Sequence, residues 1–170
     1  MQDNSFSNDI YGSWKDKQIE KYSEIYKEIK EYLKDFEKAL DIGVGRAWLW
    51  EYLSKKEINF GDIVGVEVSE DAVGREKNYI DYFYVDGSRE NLGLEELGEE
   101  KFDLIVAFDS IHLVNYGGDL PELLREGGLM LQSVPLKFED DLKLYPGMKL
   151  LEKGRIGKEE VDRYVLQKKI

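Results

Sequence analysis

The sequence predicts an α/β fold, because short apolar strands alternate with amphipathic helical segments along the chain. Residues 39–53 pass from an apolar strand through two glycines into an amphipathic helix. Apolar runs at 63–68, 82–85 and 102–108 each meet an acidic residue at or near their carboxyl end. The carboxyl ends of parallel strands meet at one edge of a sheet, where α/β proteins bind ligands. We therefore expect a ligand pocket framed by these acidic residues.

Composition restricts the class of protein. The 170 residues suffice for one domain, and 42% hydrophobic with 35% charged residues is typical of a globular protein in water. Without cysteine, the chain has no disulfide framework, no thiolate metal site and no thiol nucleophile, and we predict no metal site. No apolar stretch reaches the about 18 residues of a membrane span. A net charge of −12 disfavours anionic membranes and nonspecific nucleic-acid binding. We expect a cytoplasmic protein.

A long amphipathic helix is predicted from about Asp16 to Phe36. Apolar residues recur there in steps of three and four, with lysine and glutamate on the other face. We divide the single compact domain into an N-terminal cap segment with this helix, residues 1–37, and a nucleoside-binding region, residues 38–170. The helix either covers one flank of the sheet or brings an aromatic side chain over the pocket. The candidates for the second role are Tyr11, Trp14 and Tyr22.

The glycine motif after the first strand has the spacing Asp41-x-Gly43-x-Gly45-x-Ala47. Glycines permit a sharp turn and a close backbone approach, and the following helix directs free N–H groups toward whatever the turn binds. A dinucleotide fingerprint requires a third small residue at position 48, where this chain has tryptophan. Asp41 would repel a pyrophosphate but would suit an ammonium or sulfonium group. A tight turn without a ligand is the alternative.

Two further acidic residues fit a nucleoside ligand. Glu67 lies 24 residues after Gly43, about where a strand-end carboxylate accepts hydrogen bonds from the paired ribose hydroxyls. Asp86 can accept a hydrogen bond from the exocyclic amino group of an adenine, and Gly87 leaves room for the ring. A surface acid at a strand end is the alternative for Glu67. An ordinary Asp-Gly turn is the alternative for Asp86.

The second half of the chain predicts further strands with little helix between them. Leu120–Arg125 is predicted as a short helix ended by Glu126–Gly128, and Leu129–Val134 as a buried strand closed by a proline. The runs Met148–Lys153 and Arg163–Lys169 are strand-like and have no helical segment between them. They are therefore predicted to form an antiparallel hairpin on the sheet edge.

Five motifs in order resemble those of the class I S-adenosylmethionine-dependent methyltransferases. Each is loose alone, but five at compatible spacings are a specific signal over residues 38–134, and the last two strands extend it to the C-terminus. The resemblance implies a three-layer αβα sandwich around a seven-stranded, mostly parallel sheet whose last strand is antiparallel. The motifs are LeuAspIleGlyValGlyArgAla, ValGlyValGluValSer, TyrValAspGly, PheAspLeuIleValAlaPheAspSerIleHis and LeuArgGluGlyGlyLeuMetLeu.

The resemblance also implies a role for each matching position toward S-adenosylmethionine. The glycines would approach the methionine part of the cofactor, and Asp41 would join the network around its ammonium group. The second-strand motif would hold the ribose, the third would read the adenine, and the fourth would lie beside the sulfonium and the incoming nucleophile. The cofactor-binding residues are then Asp41, Gly43, Gly45, Glu67, Val68, Asp86, Gly87, Asp109 and Ser110. Ala47 departs from the family by replacing the third glycine of its loop.

Catalysis would be an in-line transfer of the methyl group from sulfur to the acceptor. Because the sulfonium is already a good leaving group, the protein mainly aligns the reactants and excludes water. A general base is needed only when the acceptor must lose a proton, and the single histidine, His112, has an unperturbed pKa suited to that task. Asp109 is the second catalytic candidate. A histidine packed under the following loop is the alternative for His112.

The acceptor is predicted less sharply than the cofactor. The Asn/Asp-Pro-Pro-Tyr/Phe sequence of many amino-group methylases of bases and glutamine is absent, and AspSerIleHis at 109–112 is more similar to small-molecule methylases. The acidic charge favours a neutral or cationic small molecule. Alternatives are a methyltransferase acting on protein or RNA with a partner chain, and a non-catalytic relative that binds the cofactor or nothing. A dinucleotide oxidoreductase is disfavoured by Trp48 and Asp41.

Overall fold

The computed structural model describes residues 8–67, 79–85, 97, 99–110, 120–159 and 161–170. The elements are α1 (Asn8–Ile29), β1 (Phe36–Ile42), α2 (Trp48–Leu53), β2 (Phe60–Glu67), β3 (Tyr82–Val85), β4 (Phe102–Phe108), β5 (Leu124–Pro135), β6 (Met148–Ile156) and β7 (Asp162–Lys169). Two short 3-10 helices, Leu120–Leu123 and Leu136–Asp141, flank β5.

The strands form one mixed sheet in the order β3-β2-β1-β4-β5-β7-β6. The pairs among β1 to β5 are all parallel, whereas β7 runs antiparallel to both of its neighbours, β5 and β6. β6 therefore lies at the sheet edge and forms the predicted hairpin with β7. The predicted α/β class, with a mostly parallel sheet and an antiparallel last strand, is confirmed.

The two α-helices in the described residues, α1 and α2, cover the same face of the sheet. Their buried apolar residues share one cluster with those of β1, β2, β4, β5 and β7, so the N-terminal helix belongs to the core of the domain. The helical members are Tyr22, Ile25, Ile29, Leu49, Trp50 and Leu53. Burial of this apolar stripe supplies the main force that holds α1 to the sheet.

The predicted bounds of the first helix were wrong at both ends. The helix begins at Asn8 and ends at Ile29, whereas the prediction ran from about Asp16 to Phe36. The helical spacing of apolar residues continues past Ile29, but Phe36 is the first residue of β1 and stacks on Phe60 of β2 with centroids 5.6 Å apart. Pairing in the sheet therefore overrides the local period at this position.

The opposite face carries a second buried cluster. It contains alternate residues of the central strands, such as Leu40, Val64 and Ile105, together with Leu97 and Leu120. Residues 68–78, 86–96 and 111–119 lie outside the described residues, so the helical layer that a three-layer sandwich requires on this face is not tested. That layering stays a prediction. In the described part of the chain, no helix is long and apolar enough to span a membrane.

The start of β5 differs from the sequence prediction. Leu120–Leu123 is a 3-10 turn, and β5 begins at Leu124, so the predicted helix through Arg125 and its glycine end are wrong. Phe102 pairs with Leu124 but Leu104 pairs with Leu129, which leaves residues 125–128 as a bulge in β5. Glycines at a helix end and glycines in a bulge give the same sequence signal, because both need unusual backbone angles.

The carboxyl edge of the sheet collects the polar residues predicted from the motifs. Strand alternation puts Asp41 and Ala39 of β1 on the helix-covered face, where Ala39 joins the core. Glu67 ends β2, Asp109 follows β4, and Asp162 begins the antiparallel β7 at the same edge. All four carboxyl groups thus come to the end of the sheet beneath α1 and α2.

Candidate functional site

The glycine turn, residues 43–47, has the backbone that its sequence predicts. Gly43 and Gly45 have φ angles of +74° and +50°, in the left-handed region that favours glycine. Ala47 shares that conformation, with φ of +57°, at the residue that precedes α2. The amide N–H groups of Gly43 and Val44 both donate to the carbonyl of Val66, at 2.8 and 3.2 Å. These bonds fix the turn against the end of β2.

Gly43 is in close contact with the segment that follows β4. An added Cβ at Gly43 would lie 2.5 Å from the Cβ of Ser110, closer than side-chain atoms can pack. The Ser110 hydroxyl donates a hydrogen bond of 2.6 Å to the carbonyl of Ile42. An added Cβ at Gly45, by contrast, meets no atom nearer than the Gly43 carbonyl at 4.0 Å. The turn therefore packs closely on Asp109–Ser110 at its first glycine and leaves space at its second.

Asp41 lies beneath this turn and is 4% exposed. Its carboxyl group accepts a hydrogen bond of 2.6 Å from the indole Nε1 of Trp50. Burial raises the pKa of Asp41 to about 7; the Trp50 bond opposes that shift, and the charge of Glu67 adds to it. Asp41 can therefore change its charge near neutral pH, which is rare for a carboxyl group.

Glu67 turns toward the second glycine. Its Oε2 accepts a hydrogen bond of 3.0 Å from the backbone N–H of Gly45, and the residue is 8% exposed. The carboxyl group at the end of β2 thus stabilises the turn after β1, across neighbouring parallel strands. This is the strand-end position from which a ribose is held in nucleotide-binding folds.

Asp109 stands at the point where the turn meets the N-terminal helix. It adopts a left-handed φ of +53°, and its backbone N–H donates to the carbonyl of Ser133 at 2.8 Å. Its two carboxyl oxygens lie 2.6 and 2.5 Å from the Nζ of Lys21, which is 5% exposed. Gln18 donates a further bond of 3.2 Å to Asp109. Two side chains of α1 therefore hold the residue after β4 in a strained conformation.

A cleft of about 500 Å³ opens beside Asp109, between α1, the end of β5 and the turn from β6 to β7. We call it the α1 cleft. It is lined by Lys17, Gln18, Glu20, Lys21, Glu24, Asp109, Pro135, Gly157, Lys158, Val161 and Asp162. Lys21 also lies 3.5 Å from the Oδ2 of Asp162, and Glu24 accepts a bond of 2.7 Å from the Gly157 N–H. Most of the lining residues are therefore charged or polar, and the volume of the cleft suits a small molecule.

Tyr22 lies close enough to Asp41 and Asp109 to be affected by the charges of both. Its ring packs edge-on against Phe108 with centroids 5.2 Å apart, and the residue is 8% exposed. Burial, followed by the charges of Asp41 and Asp109, raises the pKa of Tyr22 far above its usual value. Of the three aromatic candidates for covering the pocket, Tyr22 alone is shown near the site. Trp14 is 51% exposed, and the side chain of Tyr11 is not described.

A family model described as "Methyltransferase domain" matches residues 14–155 of the chain. The chain belongs to this methyltransferase family. The resemblance to class I S-adenosylmethionine-dependent enzymes that the motifs predicted is thereby confirmed, and the match extends from α1 to the edge strand β6.

Solved structures of methyltransferases share this fold. An S-adenosylmethionine-dependent methyltransferase from Clostridium acetobutylicum is 16% identical, with a TM-score of 0.61 over 87% of this chain and 90% of its own. A second, from Mesorhizobium loti, is 11% identical, with a TM-score of 0.58 over 85% and 97%. The N-methyltransferase NodS from Bradyrhizobium japonicum is 12% identical, with a TM-score of 0.55 over 96% and 98%. A search among curated proteins gives no match.

The methyltransferase fold brings five of the predicted site residues together. These are Asp41, Gly43, Gly45, Glu67 and Ser110, joined by the contacts described above, and Asp109 lies beside them on the cleft. Val68, Asp86, Gly87 and His112 lie outside the described residues, so their roles stay predictions. Sequence reasoning missed Lys21, Trp50 and Asp162. Only the position of Lys21 on the apolar side of the helix, among Ile25 and Tyr22, gave a signal in the sequence.

Proposed function

We propose that this methyltransferase binds S-adenosylmethionine at the glycine turn and methylates a small molecule held in the α1 cleft. The observation that carries the proposal is the contact between Gly43 and Ser110, which joins the turn to the segment containing Asp109. A cofactor on the turn and an acceptor in the cleft would meet at Asp109–Ser110. The two sites are adjacent and have different chemistry, as a two-substrate reaction requires.

The residues of the turn fit this cofactor. The space beside Gly45 lets a ligand approach the backbone, and a side chain there would fill it. Asp41 and Glu67 are carboxyl groups that suit an ammonium and a pair of ribose hydroxyls. Asp41 is the more deeply buried of the two and would act on the ammonium group from beneath the turn. When bound, S-adenosylmethionine supplies a methyl group whose bond to sulfur breaks, with its electron pair kept by sulfur, as the acceptor's lone pair bonds to the carbon.

The chain's own residues would mainly position the reactants. Lys21 and Gln18 fix Asp109 on the lining of the cleft. There its carboxyl group would lie beside the reacting atoms. Phe108 and Tyr22 form an apolar wall behind it and exclude water. His112 remains our candidate for a general base, three residues beyond Asp109. Proton removal by His112 would be needed only for an acceptor that arrives protonated.

A small acceptor is favoured by the size of the cleft. About 500 Å³ lies within the range of pockets that enclose small molecules. Three sides of the cleft are walled by α1, β5 and the β6–β7 turn, which would restrict a folded protein or an RNA helix. A partner chain is the second possibility for the acceptor side, since a subunit docked at this edge would supply another recognition surface.

Calorimetric titration with S-adenosylmethionine and, separately, with NAD tests the cofactor assignment. We expect micromolar affinity for the first and none for the second. Glu67→Ala should weaken S-adenosylmethionine binding about tenfold to a hundredfold, because a hydrogen bond to a charged group is worth roughly 1.5–3 kcal/mol. Glu57→Ala, an exposed glutamate just before β2, is the matched control and should leave the affinity unchanged. Equal affinity for Glu67→Ala and the wild type would refute the ribose assignment.

The acceptor class is tested by labelled-methyl transfer in an extract separated by size. Label in the small-molecule fraction supports the proposal. Label found only on protein or RNA would show that the acceptor is a macromolecule and would overturn the proposal of a small acceptor.

A further inference from the structure

We propose that the α1 cleft is an ammonium subsite, so that the acceptor is a small amine. This inference rests on the proposed function, because it names the substrate of the same site. It is carried by two observations on the floor of the cleft, a pair of largely buried carboxylates and the single buried ammonium between them. A third observation comes from β5, which borders the cleft: a buried hydroxyl without a partner.

The charges on the floor do not balance. Lys21 Nζ lies 2.5 Å from Asp109 Oδ2 and 3.5 Å from Asp162 Oδ2, and the three side chains are 6%, 25% and 19% exposed. One ammonium therefore serves two carboxylates. Burial raises the pKa of Asp162, the charge of Asp109 adds to the shift, and Lys21 only opposes it. A second cation in the cleft would complete the neutralisation.

The remaining charges of the lining do not supply that cation. Lys17, Glu20 and Lys158 are exposed to solvent, so their fields are strongly screened. Glu24 is already engaged with the backbone N–H of Gly157. No ion pair from Lys17 or Lys158 to Asp162 is found among the described residues. A cationic ligand would therefore be needed to neutralise the remaining negative charge of Asp162.

Ser133 gives an independent indication of a ligand. Its side chain is fully buried, and Oγ has no hydrogen-bond partner in the described part of the chain. Ser133 pairs with Phe108 and Tyr164, which belong to the helix-covered face, so its hydroxyl points to the side on which Lys21 and Asp109 lie. Pro135, two residues further along the same face, lines the cleft. A buried hydroxyl without a hydrogen-bond partner destabilises the folded protein unless a partner binds.

These features select an amine over other small acceptors. An anion would be repelled by the floor, and an alcohol would leave the charge of Asp162 uncompensated. An ammonium group carries three donors and can therefore neutralise Asp162 while it donates to a second acceptor. Before methyl transfer the bound ammonium must lose one proton, for which His112 is our candidate base, because only the neutral amine has the lone pair that bonds to the methyl carbon. The floor of the cleft already binds one ammonium group, that of Lys21.

A matched series of ligands tests the subsite directly: 1-aminopentane, 1-pentanol and pentanoate, which share a chain and differ in charge. Binding is measured by saturation-transfer NMR and calorimetry, with and without S-adenosylhomocysteine. We expect 1-aminopentane to bind at least about tenfold more tightly than 1-pentanol, and pentanoate to bind most weakly. Equal binding of amine and alcohol would overturn the inference.

Variants locate the effect at Asp162. Asp162→Asn should remove the preference for the amine, whereas Asp162→Glu, which keeps the charge, should retain most of it. Asp140→Asn makes the same change at an exposed position of the 3-10 helix after β5 and should have no effect. Unfolding curves confirm that each variant is folded. A preference that survives Asp162→Asn as fully as Asp140→Asn contradicts the subsite.

Separate cofactor titration distinguishes this inference from the proposed function. S-adenosylmethionine binding without a preference for the amine overturns the subsite alone. A preference for the amine without S-adenosylmethionine binding supports the subsite and overturns the cofactor assignment.

Discussion

The glycine turn and the α1 cleft lie side by side at one edge of the sheet, but they are built in different ways. The turn is made of backbone: two glycines, an alanine with positive φ and N–H groups bonded to β2. The charged side chains of the cleft come mainly from α1, the residue after β4 and the start of β7, with Lys21 and Asp109 separated by 88 residues in the sequence. The backbone geometry of a short segment requires particular residue types and therefore produces a sequence motif. Ion pairs between distant segments produce almost none. This difference explains why the turn could be predicted and the cleft could not.

The largest effect is expected from adding a methyl group to the turn. Gly43→Ala should destabilise the protein by roughly 4 kcal/mol, since a positive φ costs about 1–2 kcal/mol and the overlap with Ser110 about 1–3 kcal/mol more. Gly147→Ala is the control, because Gly147 has the same φ of +74° and nothing within 4 Å of an added Cβ. It should cost only about 1–2 kcal/mol in chemical denaturation.

The double variant Gly43→Ala with Ser110→Gly separates strain from overlap. Removing the Ser110 side chain gives the new methyl group its space, and the double variant should be less destabilised than the sum of the two single changes. If the two changes in the free energy of unfolding simply added, the contact between the turn and the segment after β4 would be unimportant.

Loss of Lys21 is expected to be the second largest effect. Lys21→Met keeps much of the stem but leaves Asp109 and Asp162 without their buried cation, which should cost about 3 kcal/mol at pH 7. Burial already raises the pKa of Asp162, and loss of Lys21 removes the charge that opposes this shift. The penalty should then be full at high pH and shrink as the pH falls through the folded-state pKa of Asp162.

Lys15→Met is the matched control for Lys21. Lys15 also joins α1 to the rest of the protein, through a contact of 2.5 Å to Glu51, but its side chain is 31% exposed. Its loss should cost less than about 1 kcal/mol. If Lys21→Met were no worse than Lys15→Met in thermal or urea unfolding, the cleft would not depend on a buried charge pair.

The sequence could predict structural features that depend on residues close together in the chain. Asp41-x-Gly43-x-Gly45-x-Ala47 predicted the turn. The acid at the end of β2, predicted to hold a ribose, lies beside that turn, and its role toward a ligand stays a prediction. Helix bounds failed where the apolar period ran on into Phe36, since a strand accepts the same residue. Lys21 was treated as part of a solvated face, because only the folded chain brings Asp109 and Asp162 to it.

Trp50 shows the same limit within the turn itself. Its indole N–H reaches Asp41, nine residues earlier, only because β1, the turn and α2 fold back on one another. From the sequence alone, a tryptophan at that position is predicted to be an ordinary core residue, and Trp50 is indeed almost completely buried. The hydrogen bond adds a second role that no spacing rule would have suggested.

A smaller, pH-dependent effect is expected from Asp41. Its pKa is raised to about 7 in the folded protein, above the unfolded value, so the folded state holds the proton more tightly. Stability should therefore fall by roughly 2–3 kcal/mol as the pH rises from 5 to 8. Asp41→Asn should remove this slope, which urea unfolding at the two pH values measures. A slope that is unchanged in Asp41→Asn would assign the effect to another group.

The smallest effect is expected at Tyr22, on which the charges of Asp41 beneath the turn and Asp109 on the cleft both act. Its ring packs on Phe108 and Tyr52, and Tyr22→Phe keeps both contacts, so the change in stability should not exceed about 1 kcal/mol. Because the pKa of Tyr22 is raised, its hydroxyl stays protonated across the working pH range and cannot serve as a general base. The pH profile of methyl transfer should therefore be the same in Tyr22→Phe and the wild type, with Tyr26→Phe as a second aromatic control on α1. If the alkaline limb of the pH profile shifted in Tyr22→Phe alone, the Tyr22 hydroxyl would take part in the reaction. Tyr22 would then connect the turn and the cleft by proton transfer rather than by packing.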